Sequence, residues 1–448
     1  MKKVVSALFL PLFLSASSNS LPLSEALEIL KNKNLEIKAA SLAVKSAKED
    51  ISSTSGLHWG KLDFTQDFAR SNDAGNVFGF KLTSREANFG DFGFSDFSMT
   101  NPNILTVEPH DLNYPEDRNF FQSKLHYEVP IFTGFAISSY TSVMEGVKNI
   151  KSLDKEKVLS EKVFQLKKSY YDMALLESSI KNMEKILSNI NALENTTQTM
   201  IEVGYAKKVD LLEVKAKKGN VERLLVQMKA NEELLYHYIS FLLNEKVDDI
   251  EVPTSEIAEP NFTDNDVLAR NLDIKKATTA LDIKASMLDA SQASYYPTLG
   301  AFAEIATADD TFLGEANDHK AYTVGARLTW NIFNGGIDGA KVEKAKIEQL
   351  KIESQVQLAK KGISLQLAKI KTEVKSANQE IKSLTKELEL ANAIYENYEA
   401  RYKEKLVSMN DVIIKQSSQI EKILQLLVAK NKRNEKIFEL EKLANGEK

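Results

Sequence analysis

Phe121-Gln122-Ser123-Lys124-Leu125-His126-Tyr127-Glu128-Val129-Pro130-Ile131-Phe132-Thr133-Gly134 changes character every second residue. Phe121, Ser123, Leu125, Tyr127, Val129 and Ile131 alternate with Gln122, Lys124, His126 and Glu128. Period two over about ten residues is a strand with one apolar and one polar face. The pattern returns downstream, where Tyr322, Val324, Ala326, Leu328, Trp330 and Ile332 alternate with Thr323, Gly325, Arg327, Thr329 and Asn331. Each stretch has the length of a membrane-crossing strand, roughly 9–11 residues. Each also has an alternating partner upstream, one around Leu62, Phe64 and Phe68, the other around Leu299, Ala301, Ala303 and Ile305. Strands are therefore expected at about 61–70, 120–132, 298–308 and 321–333.

The segment downstream of the second strand in each pair has another period. No proline lies between Pro130 and Pro253, and none comes after Pro297. Proline costs about 3 kcal/mol inside a helix, so these gaps leave room for long ones. Leu159, Val163, Leu166, Tyr170, Met173, Leu176, Ile180, Met183, Leu187 and Ile190 step by threes and fours. So do Ile363, Leu367, Ile370, Val374, Ala377, Ile381, Leu384, Leu388, Ala391, Tyr395, Tyr398 and Tyr402. A mean step near 3.5 is a coiled-coil seam. The spacing predicts long helices over 135–203 and 337–404, with returning helices over 209–243 and 411–440. A helix of about 65 residues is roughly 100 Å long, more than an ordinary globular domain needs.

The chain is duplicated. Ile131-Phe132-Thr133-Gly134 recurs as Ile332-Phe333-Asn334-Gly335, an offset of 201, and Asp210 and Asp411 keep the same offset. The openings match as well, with Asn34-Leu35-Glu36-Ile37-Lys38 beside Asn271-Leu272-Asp273-Ile274-Lys275. The expected organisation is a leader over 1–20, a first repeat over 21–243, an acidic connector over 244–266 and a second repeat over 267–448. Each repeat reads helix, strand, loop, strand, long helix, turn, returning helix. One segment is not duplicated: Ser71 to Asn119 is long and carries Phe78, Phe80, Phe89, Phe92, Phe94 and Phe97. Six phenylalanines will not all stay solvated, so packing over the mouth of a barrel or against a neighbouring chain is expected.

Composition narrows the function. Lys2 and Lys3, the apolar run Val4 to Leu14 and the small residues to Ser20 read as a cleaved secretory signal. No cysteine comes after that run, so lipidation there is excluded. No later stretch is long and apolar enough for a transmembrane helix. A net charge of −5 gives no basic excess for nucleic acid. With no cysteine in 448 residues, thiol catalysis and Cys-ligated metals are out. The five histidines are scattered, and no nucleophile elbow, P-loop or dinucleotide fingerprint occurs. The expectation is a non-enzyme with no cofactor and no metal.

With these motifs in order, the chain resembles the TolC-like outer-membrane efflux proteins, the outer-membrane factors of tripartite efflux and type I secretion systems. Leu23-Ser24-Glu25-Ala26-Leu27 followed by Asn34-Leu35-Glu36-Ile37 is similar to the family's N-terminal signature. Tyr296-Pro297-Thr298-Leu299 is similar to its entry to the third strand, and Trp330-Asn331-Ile332-Phe333-Asn334-Gly335-Gly336 to its strand-to-helix junction. Val203-Gly204-Tyr205 followed by Asp210-Leu211-Leu212 is similar to its helix-tip turn.

The resemblance implies a mostly α fold with membrane β: four strands per chain in a twelve-stranded barrel of a homotrimer, and long helices forming a periplasmic α-barrel. It implies a location in outer-membrane lipid, a periplasmic adaptor and an inner-membrane pump as partners, and a passive conduit gated at the helix tips. It places the aperture at Asp411, Asp210 and Tyr402, and adaptor docking at Val203, Gly204 and Tyr205, with Lys405 and Leu406 at the second tip. Junctions fall at Phe132 and Gly134, and at Phe333, Gly335 and Gly336. The sequence departs from the family at Lys405, where a glycine would stand. It departs again at Ile414 and Val407, the positions of the family's second acid and gate arginine. A gate held by apolar and tyrosine packing is expected instead. The rival is a periplasmic coiled-coil adaptor, which would have one helical hairpin and compact β domains.

Overall fold

The computed structural model describes residues 20–312, 314 and 318–445, so the expected leader, apart from Ser20, lies outside them. The elements run α1 (Leu23–Lys33), α2 (Leu35–Gly56), β1 (Lys61–Ser71), α3 (Ala74–Thr83), α4 (His110–Asn113), β2 (Arg118–Phe132), α5 (Ala136–Glu202) and α6 (Lys208–Leu243). Next come α7 (Asp264–Arg270), α8 (Leu272–Gln292), β3 (Thr298–Asp309), β4 (Lys320–Thr329), α9 (Ile337–Lys403) and α10 (Met409–Ala444). Both long helices have 67 residues and both returning helices have 36. Every one of their ends keeps the 201-residue offset.

The compact units do not coincide with the repeats. One gathers the chain up to Lys45, Asn149–Thr279 and the chain from Ser354 onward, and the other holds Ser46–Lys148 and Ala280–Glu353. The reason lies in the second unit, where strands of both repeats hydrogen-bond in a single sheet. The order is β1-β2-β3-β4, all antiparallel. Residues paired across strands share a face. Phe64, Leu125, Ile305 and Tyr322 form one row, and Leu62, Tyr127, Ala303 and Val324 form the next. The opposite face carries Asp63, His126, Glu304 and Thr323 in register. The apolar face is bare within one chain: Phe64, Tyr322 and Val324 are 68%, 82% and 73% exposed. β2 shifts register between Pro130 and Phe132, where Pro130 has no N–H for the ladder.

The last strand is shorter than its alternation suggests. It stops at Thr329 instead of 333, because its partner β3 begins at Thr298, opposite Thr329. Trp330 and Ile332 continue the pattern with no strand to pair with. Each opening helix is also two pieces, broken at Asn34 and at Asn271.

In the first unit the apolar seam is the core. Leu166, Tyr170, Met173, Ile180, Met183 and Ile190 of α5 are buried, as are Leu367, Ile370, Val374, Ala377, Tyr395 and Tyr402 of α9. The breaks at Asn34 and Asn271 serve this core. The Asn34 amide donates to the Leu242 carbonyl at 2.7 Å, while its oxygen accepts from the Glu36 and Ile37 amides. Asn271 does the same with Leu443, Asp273 and Ile274. One buried side chain thus starts the second opening helix and satisfies the end of the returning helix. No helix among the described residues is long and apolar enough to cross a membrane.

Candidate functional site at the helix tips

The hairpin turns that join α5 to α6 and α9 to α10 share one backbone solution. Tyr205 N–H donates to the Met200 carbonyl at 2.7 Å and Gly204 N–H to Ile201 at 3.0 Å, with Gly204 at φ +81°. This is the paired closure of a helix C-terminus around a left-handed residue. At the other tip Leu406 N–H donates to Arg401 at 2.8 Å and Lys405 N–H to Tyr402 at 2.9 Å. Lys405 takes the left-handed conformation at φ +62° although it carries a Cβ. Its ammonium lies over the Tyr205 ring, 3.3 Å from the centroid, so the two tips touch through a cation–π contact. Val203, Tyr205 and Leu406 stand out at 60%, 65% and 67% exposure.

The acids that begin the returning helices are third-position caps. Asp411 Oδ2 accepts the Ser408 amide at 3.1 Å and the Ser408 hydroxyl at 2.6 Å, and Ser408 Oγ accepts the Asp411 amide. That is a complete capping box. The Ser408 hydroxyl, its amide and the nearby Lys415 hold the Asp411 carboxyl below its ordinary value. Asp210 makes only half of the box: its Oδ2 accepts the Lys207 amide at 2.8 Å, and a lysine side chain offers no acceptor in return.

Tyr402 lies inside its own chain. It is 5% exposed and belongs to the apolar cluster that also holds Ile190, Leu193, Val214, Met409 and Val412. Its hydroxyl is 3.4 Å from Thr197 Oγ1. The Thr197 hydroxyl already donates to the Leu193 carbonyl at 2.8 Å, so Tyr402 is the donor. Burial raises the phenol above its ordinary value and the Asp210 charge adds to that. The structure thus brings Tyr402, Thr197, Asp210, Tyr205 and Lys405 into one tip. Ile414 is exposed and Val407 packs against the cluster. Sequence reasoning missed Thr197 and Ser408. Ser408 carried a readable signal, a Ser three residues before an acid. Thr197 carried none.

The strand-to-helix junctions repeat the same exchange of residue types. Gly134 and Phe135 are both left-handed, at φ +62° and +70°, and so are Gly335 and Gly336, at +68° and +82°. A Cβ on Gly134 would come within 2.6 Å of the Ala293 carbonyl oxygen, so that position needs glycine. Phe135 packs edge-on against Phe132 and Tyr296. Phe333, the counterpart of Phe132, is 84% exposed. Aromatic side chains gather at both ends of the sheet. Trp59, Tyr295, Tyr296 and Trp330 sit at the helix end, while Phe68, Phe121 and Phe312 cluster at the loop end with ring centroids 5.6–6.0 Å apart.

Comparison with known proteins agrees with this geometry. A family model described as Outer membrane efflux protein matches residues 265–446, the second repeat. No curated protein matches the chain in sequence. Solved structures match its fold over nearly the whole length. CusC is similar at a TM-score of 0.78 and 14% identity, covering 94% of this chain and 91% of its own. The CmeC outer membrane channel of Campylobacter jejuni reaches 0.75 at 13% identity, covering 95% and 85%. The outer membrane protein VceC of Vibrio cholerae reaches 0.75 at 14%, covering 95% and 96%. The resemblance to the TolC-like outer-membrane efflux proteins therefore holds in family model and in fold.

Proposed function

We infer that this chain is a member of the outer-membrane efflux channel family, and we propose that it is one subunit of a trimeric conduit for efflux or type I secretion. The observation that carries the proposal is the sheet. Its four strands are amphipathic, its two outer strands have one unpaired edge each, and its apolar face is bare. Open edges are not tolerated in lipid, so further copies must supply the missing pairings. Three copies give twelve strands, an even number within the range of outer-membrane barrels. The aromatic residues at both ends of the sheet fit the two girdles of such a barrel. Val226, Leu234 and Phe241 of α6 and Leu358 and Leu365 of α9 stay exposed in one chain, which suits contacts between copies.

In this reading the polar sheet face and the polar helix faces line a wet lumen. The conduit is passive, and an inner-membrane pump supplies the energy. The exposed Val203, Tyr205 and Leu406 meet a periplasmic adaptor. Three Asp411 carboxylates near the axis attract cations at the aperture, and the buried Tyr402 keeps each tip shut. The junction residues Phe132, Gly134, Phe333, Gly335 and Gly336 turn the chain from barrel to helix.

The test is the particle itself. Negative-stain imaging and mass measurement of the protein extracted in detergent from outer membranes are expected to show an elongated threefold particle of three chain masses. A monomer recovered from the soluble periplasm would overturn the channel and leave the coiled-coil adaptor.

A further inference from the structure

At the end of the sheet away from the long helices, three side chains from distant points of the sequence converge. Glu86, Asp309 and His319 each offer a ligand atom, and these atoms all lie within 4.8 Å of one another. Each is held in place by backbone. Glu86 lies just past α3, where its N–H donates to the Lys81 carbonyl at 2.9 Å and closes the helix around the left-handed Arg85. Asp309 is the last residue of β3 and only 6% exposed, and its Oδ1 accepts the Asp310 amide at 2.7 Å and the Thr311 amide at 3.4 Å. His319 immediately precedes β4 and is 9% exposed.

The histidine is set up as a ligand. Its Nδ1 lies 3.2 Å from the Ala308 carbonyl oxygen. A carbonyl only accepts, so Nδ1 carries the proton, and a metal ion would be met by Nε2. A carbonyl behind the far ring nitrogen is the usual way a metal-binding imidazole has its tautomer and ring orientation fixed. The local charge balance points the same way. Arg118 pairs with Glu86 and lies 3.5 Å from Asp310. Glu86 and Asp310 share that one guanidinium, and the Asp309 carboxylate beside Glu86 adds a third negative group to the cluster.

We propose that Glu86, Asp309 and His319 form a divalent transition-metal site, of which zinc is the representative ion. One imidazole nitrogen with two carboxylates suits zinc and its neighbours, whereas calcium and magnesium take oxygen ligands alone. Three protein ligands leave a fourth position for water. Donors around a tetrahedral zinc stand roughly 3.4 Å apart at bond lengths of about 2.1 Å. Glu86, whose side chain is 29% exposed, can close that distance. The ion would fasten two segments that no strand pairing joins, the long inter-strand segment between β1 and β2 and the hairpin between β3 and β4. In the channel reading both lie at the outer mouth, but the site itself does not depend on that reading.

The experiment is zinc titration of the full-length detergent-extracted protein, freed of metal by chelator and followed by calorimetry. One zinc per chain is expected. His319→Ala and Glu86→Gln should each weaken binding at least tenfold, while His237→Ala, on a helix surface far along the chain, should leave it unchanged. Gel filtration shows whether each variant keeps the parent's assembly. A second readout uses the parent protein alone: zinc, but not magnesium, should slow tryptic cleavage between residues 72 and 117. Absence of binding overturns the proposal. So does binding that His319→Ala and Glu86→Gln both leave unchanged, or cleavage that zinc does not alter.

Discussion

The two helix tips have the same backbone and opposite chemistry. In the first, glycine sits at the left-handed position and lysine at the cap; in the second, lysine sits at the left-handed position and serine at the cap. The first tip is easy in its turn and poor in its cap, and the second is the reverse. A third difference lies one turn back. Tyr402 is buried in the tip cluster, while its counterpart by the 201-residue offset is Ile201, which is only half-buried. Duplication preserved the hydrogen-bond closures, which depend on φ and ψ. It let the side chains diverge, because each closure tolerates several residues at a cost of about 1 kcal/mol.

Removing Tyr402 should have the largest effect on this contrast. Tyr402→Ala opens a cavity in the tip cluster and should cost about 3–5 kcal/mol. Tyr402→Phe loses only the Thr197 contact, about 1 kcal/mol. Ile201→Ala, at a half-buried site, should fall well below Tyr402→Ala. Thermal unfolding followed by far-ultraviolet circular dichroism ranks the three. An equal loss at Ile201 and Tyr402 would mean that the tyrosine is not the anchor of the tip.

The caps come next. Ser408→Ala should destabilise α10 by about 1 kcal/mol, the usual worth of an N-cap. Lys207→Ser should move the other way by a similar amount, since it supplies the acceptor that the first tip lacks. The double variant should then lie near the parent, because the two caps sit on different helices and share no partner. Unfolding midpoints of the three proteins check this.

The turns are a subtler case. Gly204→Ala should cost about 1 kcal/mol for a Cβ in the left-handed region. Lys405→Gly relieves the same strain but gives up the Tyr205 contact, worth about 0.5–1 kcal/mol at an exposed site. Its net effect should therefore be close to zero. Lys405→Gly in a Tyr205→Ala background should instead stabilise, and measuring both isolates the cation–π term.

Much of this was legible in the sequence, for reasons that can be stated residue by residue. The alternation at Phe121 to Ile131 gave the strand and its faces, because a strand buries or exposes every second side chain. The seam from Leu159 to Ile190 gave the long helix by the same logic at another period. The parallel between Asn34 and Asn271 was visible, but its cause was not. Nothing in the sequence says that each amide reaches the end of a helix 208 or 172 residues away. The end of β4 was missed because alternation continues past Thr329 while pairing does not, and pairing is a property of the partner. At the tips, Lys405 was readable as a departure from glycine. That it would keep the left-handed turn, and rest on Tyr205, depends on contact between the two repeats. The cluster of Glu86, Asp309 and His319 was invisible for the same reason, since α3 and the β3–β4 hairpin meet only after the sheet has formed.

The smallest expected effect is a shift in acid sensitivity at the second tip. Asp411 is held below its ordinary value of 3.8 by the Ser408 hydroxyl and amide and by Lys415. A carboxyl lowered in the folded state adds stability above its unfolded value, and that contribution fades as pH falls through the folded value. In the parent, the loss therefore comes below pH 3.8. Ser408→Ala removes the strongest of these supports and lets the carboxyl rise toward the ordinary value, so the acid-linked loss should shrink and be complete at a higher pH. Asp411→Asn has no carboxyl to protonate and should show no such step. Unfolding midpoints of the three proteins, taken between about pH 5 and pH 3, carry the comparison. If Ser408→Ala and the parent lose stability over the same pH range, the capping box does not set the charge of Asp411. Lys415 alone would then be left to keep that carboxylate ionised in acid.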